Sequence, residues 1–277
     1  DGIPIMNEHV LVEAMKKAAE LDLPISLHEE DPEFIRENGI NAGSPAAREL
    51  GITGSDRQAE ISMIARDTRI AAELGVRLLI QHISTKEGVD LVRQARKINP
   101  LIHAEATPQH FSLTEDAVLQ TGSLAKVNPP LRTEEDRLAI IQGLQDGTID
   151  IIATDHAPHS AEEKAITPLW NAPSGMIGLE TALSLALRHL VEPGLLSMME
   201  MLALFTCNPA DYYRLPAGTL AQGAAADIVI FDPSAEWTVT KESFHSKSCN
   251  SPFLGETLPG VIRCTISSGR IICRNDR

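Results

Sequence analysis

Residues 151–160 read IIATDHAPHS. An apolar run leads straight into Asp155, and His156, Pro158 and His159 follow within four positions. A carboxylate directly after a buried strand is either a helix N-cap or a functional group. Asp-His-Ala-Pro is a poor helix start, and the Pro-bounded, histidine-rich loop beyond it has no evident packing role. A buried strand that ends in acid–base chemistry points to an α/β fold, because such folds gather their sites at the carboxyl ends of parallel strands.

The same ending recurs upstream. Short apolar runs at 23–27, 76–80, 101–106 and 149–153 alternate with stretches at 8–21, 58–74, 86–97, 134–145 and 177–190 whose apolar residues recur at three- and four-residue spacing. This alternation predicts parallel strands with helical crossovers, hence a sheet or barrel buried on both faces. His28, His82, the group Thr107-Pro108-Gln109-His110, and Asp155 each follow one of the runs. A (β/α)₈ barrel of the TIM type brings all its strand ends to one face, whereas an open doubly wound sheet places its ligand at one crevice. Polar residues after every strand therefore favour the barrel. After about residue 213 apolar and polar residues alternate, with Gly, Asp and Pro at the turns, as in GTLAQGAAADIVIFDPSAEWTVT and VIRCTISSGRIICRND. Antiparallel strands of a small β-sandwich are expected there. The expected organisation is an α/β barrel portion over 1–212 and sandwich strands of a composite second domain over 213–277.

With 277 residues, 43% of them hydrophobic, the chain can bury a large core. A formal net charge of −14 argues against a nucleic-acid partner, which needs a basic face. No apolar run approaches the roughly 20 residues of a membrane helix. Cys207, Cys249, Cys264 and Cys273 form no CxxC pair, which speaks against a zinc ribbon or disulfide framework and for a reducing, cytoplasmic setting. The chain opens on Asp1-Gly2 and its first Met is Met6, so a start inside a longer protein is expected.

Asp155 is the leading catalytic candidate. Singly, His28 and His82 also fit ordinary half-buried histidines; with Asp155 they supply the nitrogen and oxygen donors zinc prefers. Such an ion lowers the pKa of water toward neutrality, and Asp155 could then carry a proton from water to a leaving nitrogen. Glu29, Glu30 and Asp31 could orient His28 or lie in a solvated loop. Asn128-Pro129-Pro130-Leu131-Arg132 is a stiff loop that offers hydrogen bonds, or an ordinary turn. Pro173-Ser174-Gly175-Met176 is expected to open a helix whose free N–H groups could meet a carbonyl or carboxylate, though capping explains it equally well. His103 reads as packing or support, and His110 as a supporting residue at the ligand face.

Taken together, HEED at 28–31, HISTKE at 82–87, AEATPQHF at 104–111, KVNPPLR at 126–132, GTIDIIATDHAPH at 147–159 and GMIGLET at 175–181 resemble the class-I dihydroorotases common in bacteria, of the amidohydrolase superfamily. NPPLR with TDHAPH is the specific part; ADIVIFD is shared by many amidohydrolases. The resemblance implies a partial, metal-dependent hydrolase barrel comprising its carboxyl-terminal half, with a small β-sandwich segment. It also implies reversible hydrolysis of the ring amide of dihydroorotate to N-carbamoyl-aspartate, in pyrimidine biosynthesis. It implies zinc, one or two ions with two favoured. His28 and His82 match metal-binding histidines, and Asp155 matches a metal-bound aspartate acting as general base and acid. Asn128 and His159 match substrate contacts, as does the segment around Ser174 and Gly175. Asp1 matches an aspartate that bridges the metals.

The family's His-x-His motif and following Arg are not in the chain, so an amino-terminally truncated form, inactive by itself, is expected. Partners consistent with the resemblance are the small-molecule substrate, a second copy in a homodimer, and aspartate transcarbamoylase. Another cyclic amidohydrolase, such as a hydantoinase or allantoinase, remains an alternative. So does a non-catalytic dihydroorotase-like subunit supporting aspartate transcarbamoylase.

Overall fold

Four short runs of apolar residues organise the larger part of the molecule. The computed structural model describes residues 2–275. In it, β1 (Ile25–Leu27), β2 (Leu78–Ile80), β3 (Ile102–Ala106) and β4 (Ile151–Ile152) form one parallel sheet in that order. The register pairs Leu27 with Ile80, Ile80 with Ala104, and Ala106 with Ile152. Leu78, Leu79 and Ile80 are wholly buried, as a strand covered on both faces requires. The helix α1 (Glu8–Leu21) precedes β1, and α2 (Gln58–Leu74), α3 (Lys86–Ile98) and α4 (Glu134–Asp146) lie between successive strands.

Local chemistry sets the helix ends. The Asn7 side chain accepts the Val10 N–H at 3.2 Å to start α1. Thr85 caps α3, and Thr133 with Asp136 forms a capping box at α4. Leu11, Met15 and Ala18, four and three residues apart, turn one face of α1 inward. The sheet shows the parallel strands and helical crossovers that the alternation of textures predicts, and is the open, partial barrel that the resemblance implies.

Packing divides the chain into two compact units, one comprising residues up to Gly178 together with Ser246–Pro252, the other Leu179–His245 with Phe253 onward. The second holds α5 (Ala182–Ala186), continued by a π-helical turn over Leu187–Val191, then α6 (Met198–Phe205) and α7 (Cys207–Tyr213). It also holds an antiparallel sheet of β5 (Ile228–Thr238), β6 (Thr257–Ser267) and β7 (Arg270–Arg274), in sequence order. Among the described residues this is one three-stranded sheet, one layer of the expected sandwich. The texture of the sequence changes near 213, whereas the packing boundary falls at 178. Trp237 Nε1 donates to Ser184 Oγ at 2.9 Å and Arg188 donates to the Thr257 carbonyl at 2.8 Å, drawing the helical segment to the sheet. No described helix is long and apolar enough to cross a membrane.

The helix expected over 177–190 begins at Ala182, and Pro173–Met176 does not open it. The backbone there is committed elsewhere: Ala157 N–H donates to Met176 O at 2.9 Å, Ile177 N–H to Asn250 O at 3.1 Å, and Gly175 N–H to Lys126 O at 2.8 Å. The Gly175 and Ile177 N–H groups are therefore not free in the way a helix start would leave them.

Candidate metal and substrate site

The strand ends deliver the expected side chains. His28 follows β1 directly, His82 lies two residues past β2, and Asp155 three past β4. His28 Nδ1 and His82 Nε2 are 2.9 Å apart. The far nitrogen of His28, Nε2, meets Glu30 Oε2 at 3.1 Å. A carboxylate only accepts, so His28 Nε2 is the donor in that contact, and Nδ1 is the ring nitrogen turned toward His82. This is how a carboxylate orients a metal-ligating histidine. Of the three acids after His28, Glu30 thus supports the ring, while Asp31 caps the turn at Pro32–Phe34. Glu29 is buried, and burial together with Asp67 holds its carboxyl well above the usual range.

Burial also raises the Asp155 carboxyl; His28 acts in the opposite sense and Glu30 in the same sense. Burial depresses the His82 imidazole well below its ordinary range, with His28 and His110 adding to the effect. Glu105 on β3 accepts the His82 N–H at 3.3 Å, and burial pushes its carboxyl up to about 7. His82 and Asp155 share left-handed backbone, with φ of 32° and 47°, uncommon for residues other than glycine.

Two imidazoles in contact, one aligned by a carboxylate, and a half-buried aspartate in electrostatic reach match the donor chemistry of a zinc-type cation. The match is partial: among the described residues no group of three or more His, Cys, Asp or Glu side chains is arranged to hold a metal ion. The two ring nitrogens instead lie within hydrogen-bond distance of each other, at 2.9 Å. Asp1, the remaining expected ligand, lies outside the described residues.

The expected substrate-contacting residues form a second group. His159 Nε2 donates to the Ser174 carbonyl at 2.9 Å. Gly175 has φ of 124°, and a Cβ there would lie 2.6 Å from Ala157 Cβ and 3.1 Å from His159 Nε2. Only glycine satisfies both the backbone and the space. Asn128 Oδ1 and Ser174 Oγ are buried without a hydrogen-bond partner. Both converge on Gly39, where a Cβ would come 2.4 Å from Ser174 Oγ and 3.1 Å from Asn128 Oδ1. The two groups are joined by the parallel bridge between His156 and Met176, whose preceding residues are Asp155 and Gly175.

Several supports carried no signal in the sequence reading. Asn250 donates to the carbonyls of Ala157 and Gly175, at 3.0 and 3.1 Å, and its Oδ1 accepts the His159 N–H at 3.1 Å. Glu60 accepts the backbone N–H groups of Ser84 and Thr85, each at 3.0 Å, steadying the loop after His82. Arg132, in the stiff proline loop, is buried and donates to Asn41 Oδ1 at 2.6 Å and Ser55 O at 3.1 Å. His110 does support the site: its Nε2 donates to Pro129 O at 3.0 Å and its Nδ1 accepts from Thr107 Oγ1 at 2.7 Å. Burial lowers it to about 4, which keeps it neutral. His103 Nδ1 meets Asp150 Oδ2 at 2.7 Å.

A partial parallel barrel with imidazoles and a carboxylate at its strand ends defines the class as an α/β-barrel protein with its site at the carboxyl ends of the strands. The chain belongs to the amidohydrolase family, whose profile matches residues 3–272. It is 50% identical over 272 residues to a dihydroorotase of Clostridium acetobutylicum, covering 98% of this chain and 64% of the relative. A dihydroorotase of Clostridioides difficile is 52% identical with the same coverage of both chains. The chain thus spans less than two thirds of these relatives. Among solved structures, L-hydantoinase (dihydropyrimidinase) from Arthrobacter aurescens superposes with a TM-score of 0.88 at 28% identity, over 100% of this chain and 64% of that one.

Proposed function

We propose that the protein carrying this chain is a dihydroorotase that reversibly hydrolyses the ring amide of (S)-dihydroorotate to N-carbamoyl-L-aspartate, a step in making pyrimidines. The observation that carries the reading is identity of about half to dihydroorotases over 98% of the chain. The grouping of Asn128, His159, Ser174 and Gly175, tied to the Asp155 loop through the His156–Met176 bridge, supports it. Proteins of this family are typically metal-dependent. The residues of this chain that would hold the metal are His28, His82 and Asp155, with Asp1 as a further ligand. Zinc is the cation that suits these donors, two ions being favoured. The chemistry such an ion supplies when bound is Lewis acidity, which polarises a carbonyl and makes water more acidic.

The remaining work falls to side chains. Asp155 takes a proton from the attacking water as its oxygen bonds to the amide carbon, and returns that proton to the ring nitrogen as the C–N bond breaks. Burial raises the carboxyl and so suits it to hold the proton between the two steps. Asn128 and Ser174 each offer an unpaired polar atom to the ring, and His159 meets the substrate from its own loop. Residues 1–212 are taken as barrel and 213–277 as part of the second domain. All four cysteines are free thiols, which supports a cytoplasmic site of action.

The likeness to a hydantoinase gives a second reading, ring opening of hydantoins by the same chemistry. Assay of the full-length protein on dihydroorotate, hydantoin and allantoin separates them: turnover favouring dihydroorotate is expected, and preference for either of the others defeats the proposal. Asp155→Asn should lower kcat by at least about a hundredfold with the fold intact, since it removes a general base with little change of shape. A near-normal rate would remove Asp155 from its role. A preparation with no bound zinc and no turnover would instead favour a non-catalytic subunit.

A further inference from the structure

Lys126 and Lys164 are buried, 1% and 6% exposed, although lysine almost never is without a partner acid. Among the described residues neither ammonium is paired with a carboxylate. Lys126 Nζ donates to Ala172 O at 2.6 Å and to Asn38 Oδ1 at 2.8 Å. Lys164 Nζ donates to Pro173 O at 2.8 Å. The two lysines are also linked through the backbone, since Ser123, three residues before Lys126, donates its hydroxyl to Lys164 O.

Each carbonyl from 172 to 175 is claimed by a different side chain. Lys126 takes the first and Lys164 the second; His159 Nε2 takes the third at 2.9 Å and Asn250 Nδ2 the fourth at 3.1 Å. Lys126 acts twice, because its own carbonyl accepts the Gly175 N–H at 2.8 Å. Its stem runs under Gly39, where a Cβ would lie 2.7 Å from Lys126 Cγ. Within this lattice the Ser174 hydroxyl is left buried and unpaired, beside the equally unpaired Asn128 Oδ1.

Stability alone is a poor reason to keep two such groups. Burying an ammonium without a counter-charge forfeits its hydration, and an apolar side chain would fill the volume at less cost. Ammoniums in these places do what no apolar chain can, which is to hold specific carbonyl oxygens. Both are depressed to about 8, by burial at Lys126 and by burial with a smaller contribution from Lys126 at Lys164. We propose that Lys126 and Lys164 are positioning residues that lock the Ala172 and Pro173 carbonyls and thereby hold Ser174 and Gly175 where the substrate ring is received. The ring-binding part rests on the dihydroorotase reading; the lock itself does not.

The test uses Lys126→Met and Lys164→Met in the full-length protein, each removing the ammonium while keeping the length of the stem. Hydrogen exchange of the Gly175 amide reports the lock directly, and acceleration of about tenfold, confined to 172–176, is expected in each variant that folds. Dihydroorotate kinetics should show KM raised about tenfold with kcat changed less than about threefold, the signature of lost substrate placement rather than lost chemistry. Gly175 exchange unchanged in Lys164→Met, or KM unchanged despite faster exchange, overturns the proposal. An unsubstituted protein that does not hydrolyse dihydroorotate overturns the functional reading instead, and exchange at Gly175 then decides the lock on its own.

Discussion

His82 and Asp155 both hold left-handed backbone, at φ of 32° and 47°, and neither is a glycine. Such positions cost of order 1 kcal/mol or more, so a residue with a large side chain persists there when the side chain is needed. The two residues sit at the mouths of β2 and β4, where the proposed ligands are required. His82→Gly separates the two contributions, because it removes the imidazole and relaxes the backbone. Loss of a group that merely orients a ligand weakens metal binding about 10–100-fold, and loss of the ligand itself should cost at least that. The variant is expected to hold markedly less zinc after dialysis, by elemental analysis, with thermal stability equal to the parent or above it. Full zinc occupancy in His82→Gly would exclude ligation. Glu30 and Asn250 differ in how visible they are. Glu30 stands beside His28 in the sequence and could be suspected as its support. Asn250 lies 91 residues from its partner His159, and a lone asparagine in a serine-rich loop gives no periodicity or spacing to detect.

The helices over 8–21 and 58–74 lie where their apolar spacing puts them, because each buries a continuous stripe and stops at a left-handed C-cap, Asp22 and Gly75. The helix expected over 177–190 starts five residues late, at Ala182, for the opposite reason. Its first residues spend their backbone groups on the loop at 156–157 and on Asn250, contacts across the chain that local pattern cannot express. Strands were legible as apolar runs, and their polar ends as candidate ligands. The side-chain locks that align those ends, from Glu60, Lys126, Lys164 and Asn250, were not, since each depends on a distant carbonyl or N–H. The sheet itself makes a prediction about stability. Leu79 is wholly buried at the centre of β2, with β1 and β3 on either side. Leu79→Ala should destabilise the protein by about 2–5 kcal/mol, the range for truncating a core leucine. Urea unfolding should show the midpoint falling with little change in slope. A loss well under 1 kcal/mol would mean that the strand is packed far more loosely than its burial indicates.

At the scale of the whole molecule, the two unpaired ammoniums tie stability to pH. Lys126 and Lys164 titrate near 10.5 when exposed and at about 8 in the fold, because burial penalises the charged form. Between those values the unfolded chain binds more protons than the folded one. Stability changes with pH as the proton count of the unfolded state minus that of the native state, which is positive in this window. The contribution of the two lysines therefore rises from pH 8 toward 10.5, is fully present above that, and is lost as pH falls through 8. Each can add a slope of up to about 1.4 kcal/mol per pH unit where its protonation differs most. The chain also carries a formal charge of −14, so other groups impose their own pH dependence, and the comparison has to be with a matched variant. Denaturant unfolding of the parent and of Lys164→Met at pH 7.5, 8.5 and 9.5 isolates one lysine. Relative to the variant, the parent should gain stability at each step upward. Parallel curves would show that Lys164 keeps an ordinary pKa in the fold, and so that its ammonium is far better solvated than its burial against Pro173 implies.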